Sequence, residues 1–514
     1  MLNTLERIQN QLRKFFYPIL TVSTISIILF TVGYSFFYDI NLANESYDAS
    51  NTYRIAQQPL NLRREILHNE QNFELYYDII ATVFRIFGNN YRYAVLLNLI
   101  VWLISIVLVK KFIDSKFSSK NWQLFYLFLY VSSAQLIYYA FYMRMYGLIN
   151  LSTILHIFLI EKYIKNRDWR ILFAGGINLI IMTNLHPVTI VFLGIVGISS
   201  MITIRSKPHL LLFTSLIAAG AITNILQIVN KVNWLDTYLG RGVNYLSGIT
   251  MPFYTFPHFL LFKWGNYFSW ILFCIILYTL WLIIKSRLLL KKEHMHYVIP
   301  AVFFIAMTFF LQQFSNARHF IFFAVPLLFT IYVGISLLKG RIKLIMAAVM
   351  YLYFSCAILS LFVVEIDKQN LVRSFCIEIH AYDFKNGIAI SDMYLYQILR
   401  DCAKNVQIAL PYRGKLVLDT QLGPFAILKE QSLLGGYTYQ VLSRVGVPAK
   451  EEVKELLKKG IPNIADLDIQ PEYVYLLDYV LPKQFVNLYE LKMLEGYSFD
   501  RLDGNIIIFK KNAL

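Results

Sequence analysis

Ala94-Val-Leu-Leu-Asn-Leu-Ile-Val-Trp-Leu-Ile-Ser-Ile-Val-Leu-Val109 holds no charged residue and is closed at once by Lys110 and Lys111. With its flanks it forms an apolar stretch from 91 to 113, long enough for a helix that crosses a hydrocarbon layer, which needs roughly 20 such residues. Working outward, comparable segments lie near 16–38, 123–142, 146–162, 170–185, 187–204, 209–229, 257–284, 298–315, 319–338 and 343–364. They predict about eleven spanning helices within residues 1–365 and none after them. Composition agrees: apolar residues make up 57% of the 514, charged residues only 16%, and mean hydropathy is +0.51. Too little polar surface remains for a soluble chain of this length, so the bilayer is the expected solvent.

The formal net charge is +16, but the basic residues sit in short clusters between apolar runs. Lys110, Lys111, Lys116 and Lys120 form one cluster; Lys162, Lys165, Arg167 and Arg170 another; then Arg205 and Lys207; Lys285, Arg287, Lys291 and Lys292; and Lys339, Arg341 and Lys343. With Arg13 and Lys14 taken as cytoplasmic, every cluster falls on that side, as the positive-inside rule requires. Basicity is therefore read as topology, and no nucleic-acid partner is expected. Arg7, Arg13 and Lys14 precede an apolar run too long for a signal peptide, which reads as an uncleaved anchor. An odd number of spans places two long loops, 39–90 and 230–257, and the whole of 366–514 outside a plasma or inner membrane.

In the first loop, Tyr76 to Phe87 is aromatic-rich but carries Asp78 and Arg85, which fits a helix lying in the membrane interface. The carboxyl-terminal segment alternates strands such as Lys415-Leu-Val-Leu-Asp419 and Gly504-Asn-Ile-Ile-Ile-Phe509 with helical patterns such as Pro448 to Lys458. That alternation predicts a small soluble α/β domain. Of the four cysteines, Cys274 and Cys356 fall in apolar runs, whereas Cys376 and Cys402 would be able to pair if the domain is external. His294 and His296, beside Lys291 and Lys292, read as a solvated cytoplasmic loop. No ligand cluster calls for a metal or another cofactor.

Ionisable residues at the outer membrane boundary are costly to place, which makes them the functional candidates. Glu45 and Asp48 follow the first span, and a helix starting at Asn44 would set both carboxylates on one face; the plainer reading is acids answering a helix dipole. Arg144, His186, Arg318 and His319 stand at external helix ends. Each alone reads as a snorkelling cation or a satisfied core histidine. Converging from separate turns onto one leaflet, they supply the donors that a lipid phosphate needs. Arg241 joins them by position in the second long loop.

Asn44-Glu45-Ser46, Asn72-Phe-Glu-Leu-Tyr-Tyr77, Phe87-Gly88, Arg92, Tyr142-Met-Arg-Met-Tyr146, Leu185-His186 and Arg318-His319 occur in that order. Order and spacing resemble the C-type membrane glycosyltransferases of family 39, which are related to the protein O-mannosyltransferases and the lipid A aminoarabinose transferase. The resemblance covers most of the membrane region and departs at two places: Asn44 stands where members carry an Asp taken as base, and Asn72-Phe73-Glu74 replaces a His-Pro-Pro. It implies inverting transfer of a sugar from a polyprenyl-phosphate donor to a lipid, glycan or protein acceptor on the external face. On that reading Glu45 is the expected base with Asp48 in support, Arg144, His186, Arg318 and His319 hold the donor phosphate, Glu74 and Tyr77 are further candidate substrate contacts, and Arg241 is one by its position alone. Two other readings remain at this point: a lipid or sugar transporter or flippase, and a catalytically silent relative, the latter kept open by Asn44.

Overall fold

The computed structural model describes residues 2–37, 46–70, 73–187, 189–230, 269–286, 292–310, 323–384, 386–390, 399, 402–403, 406–412, 415–420, 463–477, 494, 496–503 and 506–512. These divide into two compact units, Met1–Tyr38 with Thr52–Val364, and Asp39–Asn51 with Glu365–Leu514.

The first unit is helical. Its elements are α1 (Leu2–Phe37), the end of α2 (Ser46–Gln57), α3 (Leu60–Glu70), α4 (Glu74–Phe87), α5 (Tyr91–Lys116), α6 (Lys120–Val131), α7 (Ala134–Phe141), α8 (Tyr146–Asn166), α9 (Trp169–Thr183), α10 (Thr189–Met201), α11 (Lys207–Val229), α12 (Ser269–Lys285), α13 (Lys292–Phe310), α14 (Ala324–Leu337) and the start of α15 (Gly340–Ala381). Phe16–Phe37, α5, α8, α11 and Gly340–Val363 are each long and apolar enough to cross a bilayer, and shorter apolar helices lie between them. The chain is a multi-pass membrane protein.

The stretch expected as a single span over 123–142 is broken. Helices α6 and α7 meet at 57° across Ser132-Ser133, where no proline or glycine stands. Ser132 ends the first helix by donating both its backbone N–H, at 2.8 Å, and its hydroxyl, at 2.6 Å, to the Phe128 carbonyl, the local competition by which serine interrupts a helix. Helix α4 buries Tyr76, Tyr77, Ile80 and Phe84, one face at helical spacing, and leaves Ile86 and Phe87 exposed. Gly88, at φ 100°, caps it, and the Asn90 side chain accepts from the Arg92 N–H at 2.9 Å to start α5. Helices α12 and α14 approach so closely that a Cβ on Gly334 would meet Thr279, whose Cα lies 3.1 Å from it.

His294 and His296 do not form a solvated loop. Helix α13 begins at Lys292, and His296 is fully buried with Nε2 3.4 Å from a Glu161 carboxylate oxygen. The same carboxylate meets Lys116 Nζ at 2.7 Å, so α5, α8 and α13 converge on Glu161.

Among the described residues, the second unit holds a six-stranded mixed sheet in the order β3-β2-β1-β4-β6-β5, with β1 (Gly387–Ile390), β2 (Gln407–Tyr412), β3 (Lys415–Leu418), β4 (Tyr473–Leu477), β5 (Tyr497–Asp503) and β6 (Ile506–Lys511). Strand β1 runs parallel to both β2 and β4; the remaining pairs are antiparallel. Alternation sends Ala389, Ile408, Tyr475 and Ile508 into one apolar layer and Ile388, Ile390, Val474, Leu476 and Ile507 into the other. Because both faces are covered, β6 reads as an unbroken apolar run rather than as an alternating one. Cys376, near the end of α15, is disulfide-bonded to Cys402 with Cα atoms 5.3 Å apart.

Candidate active site

Four residues between α7 and α8, Tyr142 to Met145, lie outside regular helix, and Arg144 sits among them, only 7% exposed. A buried guanidinium needs hydrogen-bond acceptors around it. Its Nη1 donates to the Thr52 hydroxyl of α2 at 3.1 Å and to the Tyr77 hydroxyl of α4 at 3.2 Å. The carbonyls of the non-helical segment turn the other way. Asn98 Nδ2, from the buried face of α5, donates to Tyr142 O at 2.6 Å and stands 3.5 Å from both Arg144 O and the Tyr76 hydroxyl. Burial holds the Tyr76 phenol well above its ordinary pKa, so it stays neutral beside the arginine.

Rings continue the site. Tyr138 stacks on Tyr142 with centroids 4.8 Å apart, Tyr139 lies against Tyr146 at 4.8 Å, and Tyr146 reaches the His186 imidazole at 6.0 Å. His186, half-buried in the turn between α9 and α10, is fixed through its backbone: its carbonyl accepts from the Thr189 N–H and hydroxyl. Asn224 of α11 braces the end of α9 by donating to Thr183 O at 2.7 Å. A Cβ at Gly147 would come within 3.2 Å of Tyr139 O and 4.0 Å of Asn98 Oδ1, so glycine there lets the first turn of α8 close on α7.

Of the residues expected at the site, Arg144 and Tyr77 are in direct contact, and His186 lies against the Tyr146 ring. Glu74 is instead held by Arg64, its carboxylate 3.4 Å from Nε in a half-exposed pair that ties α3 to α4. Asp48 falls in the first turn of α2, while Glu45, Arg241, Arg318 and His319 lie outside the described residues. Thr52 and Asn98 were not anticipated. For Asn98 a signal exists, since a single amide within an uncharged span is costly unless it is used. Among the described residues no group of three or more His, Cys, Asp or Glu is placed to hold a metal ion. A guanidinium, tyrosyl and threonyl hydroxyls and an imidazole are together the donor classes suited to a phosphate ester.

Comparison with solved structures places the fold in a known architecture. The crystal structure of ArnT from Cupriavidus metallidurans bound to undecaprenyl phosphate superposes with a TM-score of 0.56, covering 95% of this chain and 97% of that one at 11% identity. The fold is of the GT-C type. A second GT-C structure, the oligosaccharyltransferase AglB from Archaeoglobus fulgidus in complex with an inhibitory peptide and a dolichol-phosphate, matches at a TM-score of 0.45 and 10% identity, over 91% of this chain and 71% of that one. No protein-family model and no curated protein matches the sequence. At such identities the likeness carries the GT-C architecture and nothing finer.

Proposed function

We propose that the chain transfers a glycosyl group from a polyprenyl-phosphate sugar to a lipid, glycan or protein acceptor on the external side of the membrane, with inversion at the anomeric carbon. The observation that carries this reading is the buried Arg144 guanidinium between the Thr52 and Tyr77 hydroxyls, set in the break between α7 and α8 of a fold shared with a protein that holds undecaprenyl phosphate. Support for an external second unit comes from its Cys376–Cys402 disulfide, a bond favoured in oxidising compartments.

In the reaction, an acceptor hydroxyl oxygen attacks the anomeric carbon while the bond to the phosphate oxygen breaks, and the phosphate departs with the electron pair. Arg144 and His186, with Arg318 and His319 from the later segment, stabilise the charge that develops there. Glu45 takes the hydroxyl proton and Asp48 orients the carboxylate or the acceptor. Tyr77 and Arg241 complete the donor surroundings; Glu74, engaged by Arg64, supports the position of α4.

Purified protein given labelled polyprenyl-phosphate sugars and a membrane extract should move label into a new glycosidic product, and Glu45→Gln should abolish that transfer while retaining undecaprenyl phosphate binding. Near-normal turnover in Glu45→Gln would remove Glu45 from the mechanism. The 57° break between α6 and α7 favours a second reading, transport of the lipid-linked sugar, because interrupted helices line many transport sites. Translocation in liposomes with no new glycosidic bond would establish that reading and overturn the first.

A further inference from the structure

We infer that Asn98 is the positioning residue of this site: its side-chain amide holds the unwound Tyr142–Met145 segment in the one arrangement that aims Arg144 at the donor phosphate. The inference rests on the proposed role of Arg144 as a phosphate contact.

Where α7 stops at Phe141 and α8 has not begun, carbonyls leave the helical ladder in a place with little water, and each must find a donor. The Tyr142 carbonyl finds two. The N–H of Arg144 reaches it at 2.8 Å, and Asn98 Nδ2 reaches it at 2.6 Å. The first bond is local and closes a tight turn within the segment itself. The second comes from another helix and fixes that turn in space. Asn98 is fully buried, on the face of α5 that also buries Val95, Leu99, Val101, Trp102 and Ser105. A leucine would suit those surroundings better in every respect except the donor it lacks.

The same amide lies 3.5 Å from Arg144 O and from the Tyr76 hydroxyl, both at the outer limit of hydrogen bonding. It thereby stands between the segment that carries Arg144 and the helix that carries Tyr77, which accepts from Arg144. Turning the Tyr142 carbonyl away would swing the next residues and draw the guanidinium off both hydroxyls. Asn98 itself is aimed at backbone, so it acts through Arg144.

The test measures undecaprenyl phosphate binding to the full-length protein in detergent for the wild type, Arg144→Ala, Asn98→Leu and the double variant. Each single substitution should weaken binding about tenfold or more, whereas the double variant should fall within about twofold of Arg144→Ala, because a residue that works through Arg144 has nothing left to position. A double-variant loss equal to the product of the two single losses overturns the inference, as does wild-type affinity in Asn98→Leu. Unchanged affinity in Arg144→Ala would sink the phosphate assignment itself and this inference with it, an outcome distinct from additivity. Should Asn98→Leu fail to fold, Asn98→Ser keeps a polar side chain too short to span to Tyr142. Misfolding of both variants would make Asn98 a folding determinant and refute the positioning role.

Discussion

Replacing Glu161 by glutamine should destabilise the helical unit far more than removing one surface contact. The Glu161 carboxylate is 7% exposed and meets the Lys116 ammonium, 14% exposed, at 2.7 Å and the wholly buried His296 imidazole at 3.4 Å. Taking the negative charge away leaves the ammonium without its counterion, a defect that costs about 3–5 kcal/mol when both groups are buried. Lys116 is the last residue of α5, and its four-carbon stem can carry the charge toward the interface. That escape puts the expected loss at the lower end, about 3 kcal/mol, or roughly a hundredfold in the folding equilibrium. Lys116→Met combined with Glu161→Leu removes both charges and should return to within about 1 kcal/mol of the wild type. Unfolding by sodium dodecyl sulfate in mixed micelles, followed through the tryptophans, Trp102 of α5 among them, measures both variants on one scale. A Glu161→Gln curve that overlays the wild type would refute the argument. So would a double variant no more stable than the single one, because the loss would then come from missing contacts rather than from an orphaned charge.

Gly147→Ala forces a Cβ to within 3.2 Å of Tyr139 O and should cost about 1–3 kcal/mol in the same assay, with weakened undecaprenyl phosphate binding. Gly175→Ala is the matched control: its Cβ meets the His156 and Leu159 side chains only at 3.8 Å, so the helix should gain up to about 1 kcal/mol. Cys376→Ser with Cys402→Ser opens a loop set by 26 residues of separation and should destabilise the sheet domain by about 3 kcal/mol on chain-entropy grounds, read from protease sensitivity with and without reductant. Burial is the main force pushing the Tyr475 hydroxyl up to about 12, with Tyr382 adding to it. The unfolded chain loses that proton near pH 10, so the folded state holds one proton more between about 10 and 12 and stability should fall with rising pH across that window. Tyr475→Phe should flatten the slope in a pH series of melts; an unaltered slope would assign the effect to another group.

The parts of the fold that were legible are those governed by one local period. Uncharged runs such as 94–109 announce spans by length alone, and Lys415–Leu418 and Ile506–Phe509 announce strands by their branched apolar residues. The bend between α6 and α7 was hidden because Ser132 and Ser133 are weak punctuation: serine tolerates a helix and interrupts it only when the surrounding packing gains from the interruption. His296 was misread for the opposite reason. Lys291 and Lys292 beside it look solvated, and the acid that draws it inside, Glu161, belongs to a helix far back along the chain. Local composition reports local solvent preference, and a buried carboxylate beside the ring reverses that preference through a partner that no window of sequence contains.

The same reasoning explains which site residues could be read and which could not. Arg144 was recognisable as an ionisable residue at a boundary, unusual for its own neighbourhood, whereas Tyr77 stood out only as part of an aromatic-rich stretch. Thr52 becomes a site residue only because Arg144, 92 positions later, points at it, and threonine in a loop helix is otherwise ordinary. Asn98 is the intermediate case. Its oddity is local, one amide in an uncharged span, but its meaning is not, since its hydrogen bond runs 44 residues onward to Tyr142. A break in one membrane helix creates a demand for donors, and a polar residue stranded in another helix is the supply. Only the amide is visible in the sequence as an anomaly, because the stretch around 142–146 reads there as an ordinary turn between two spans. Here Asn98 of α5 and the Tyr142–Met145 segment are such a pair, joined by the 2.6 Å bond to the Tyr142 carbonyl.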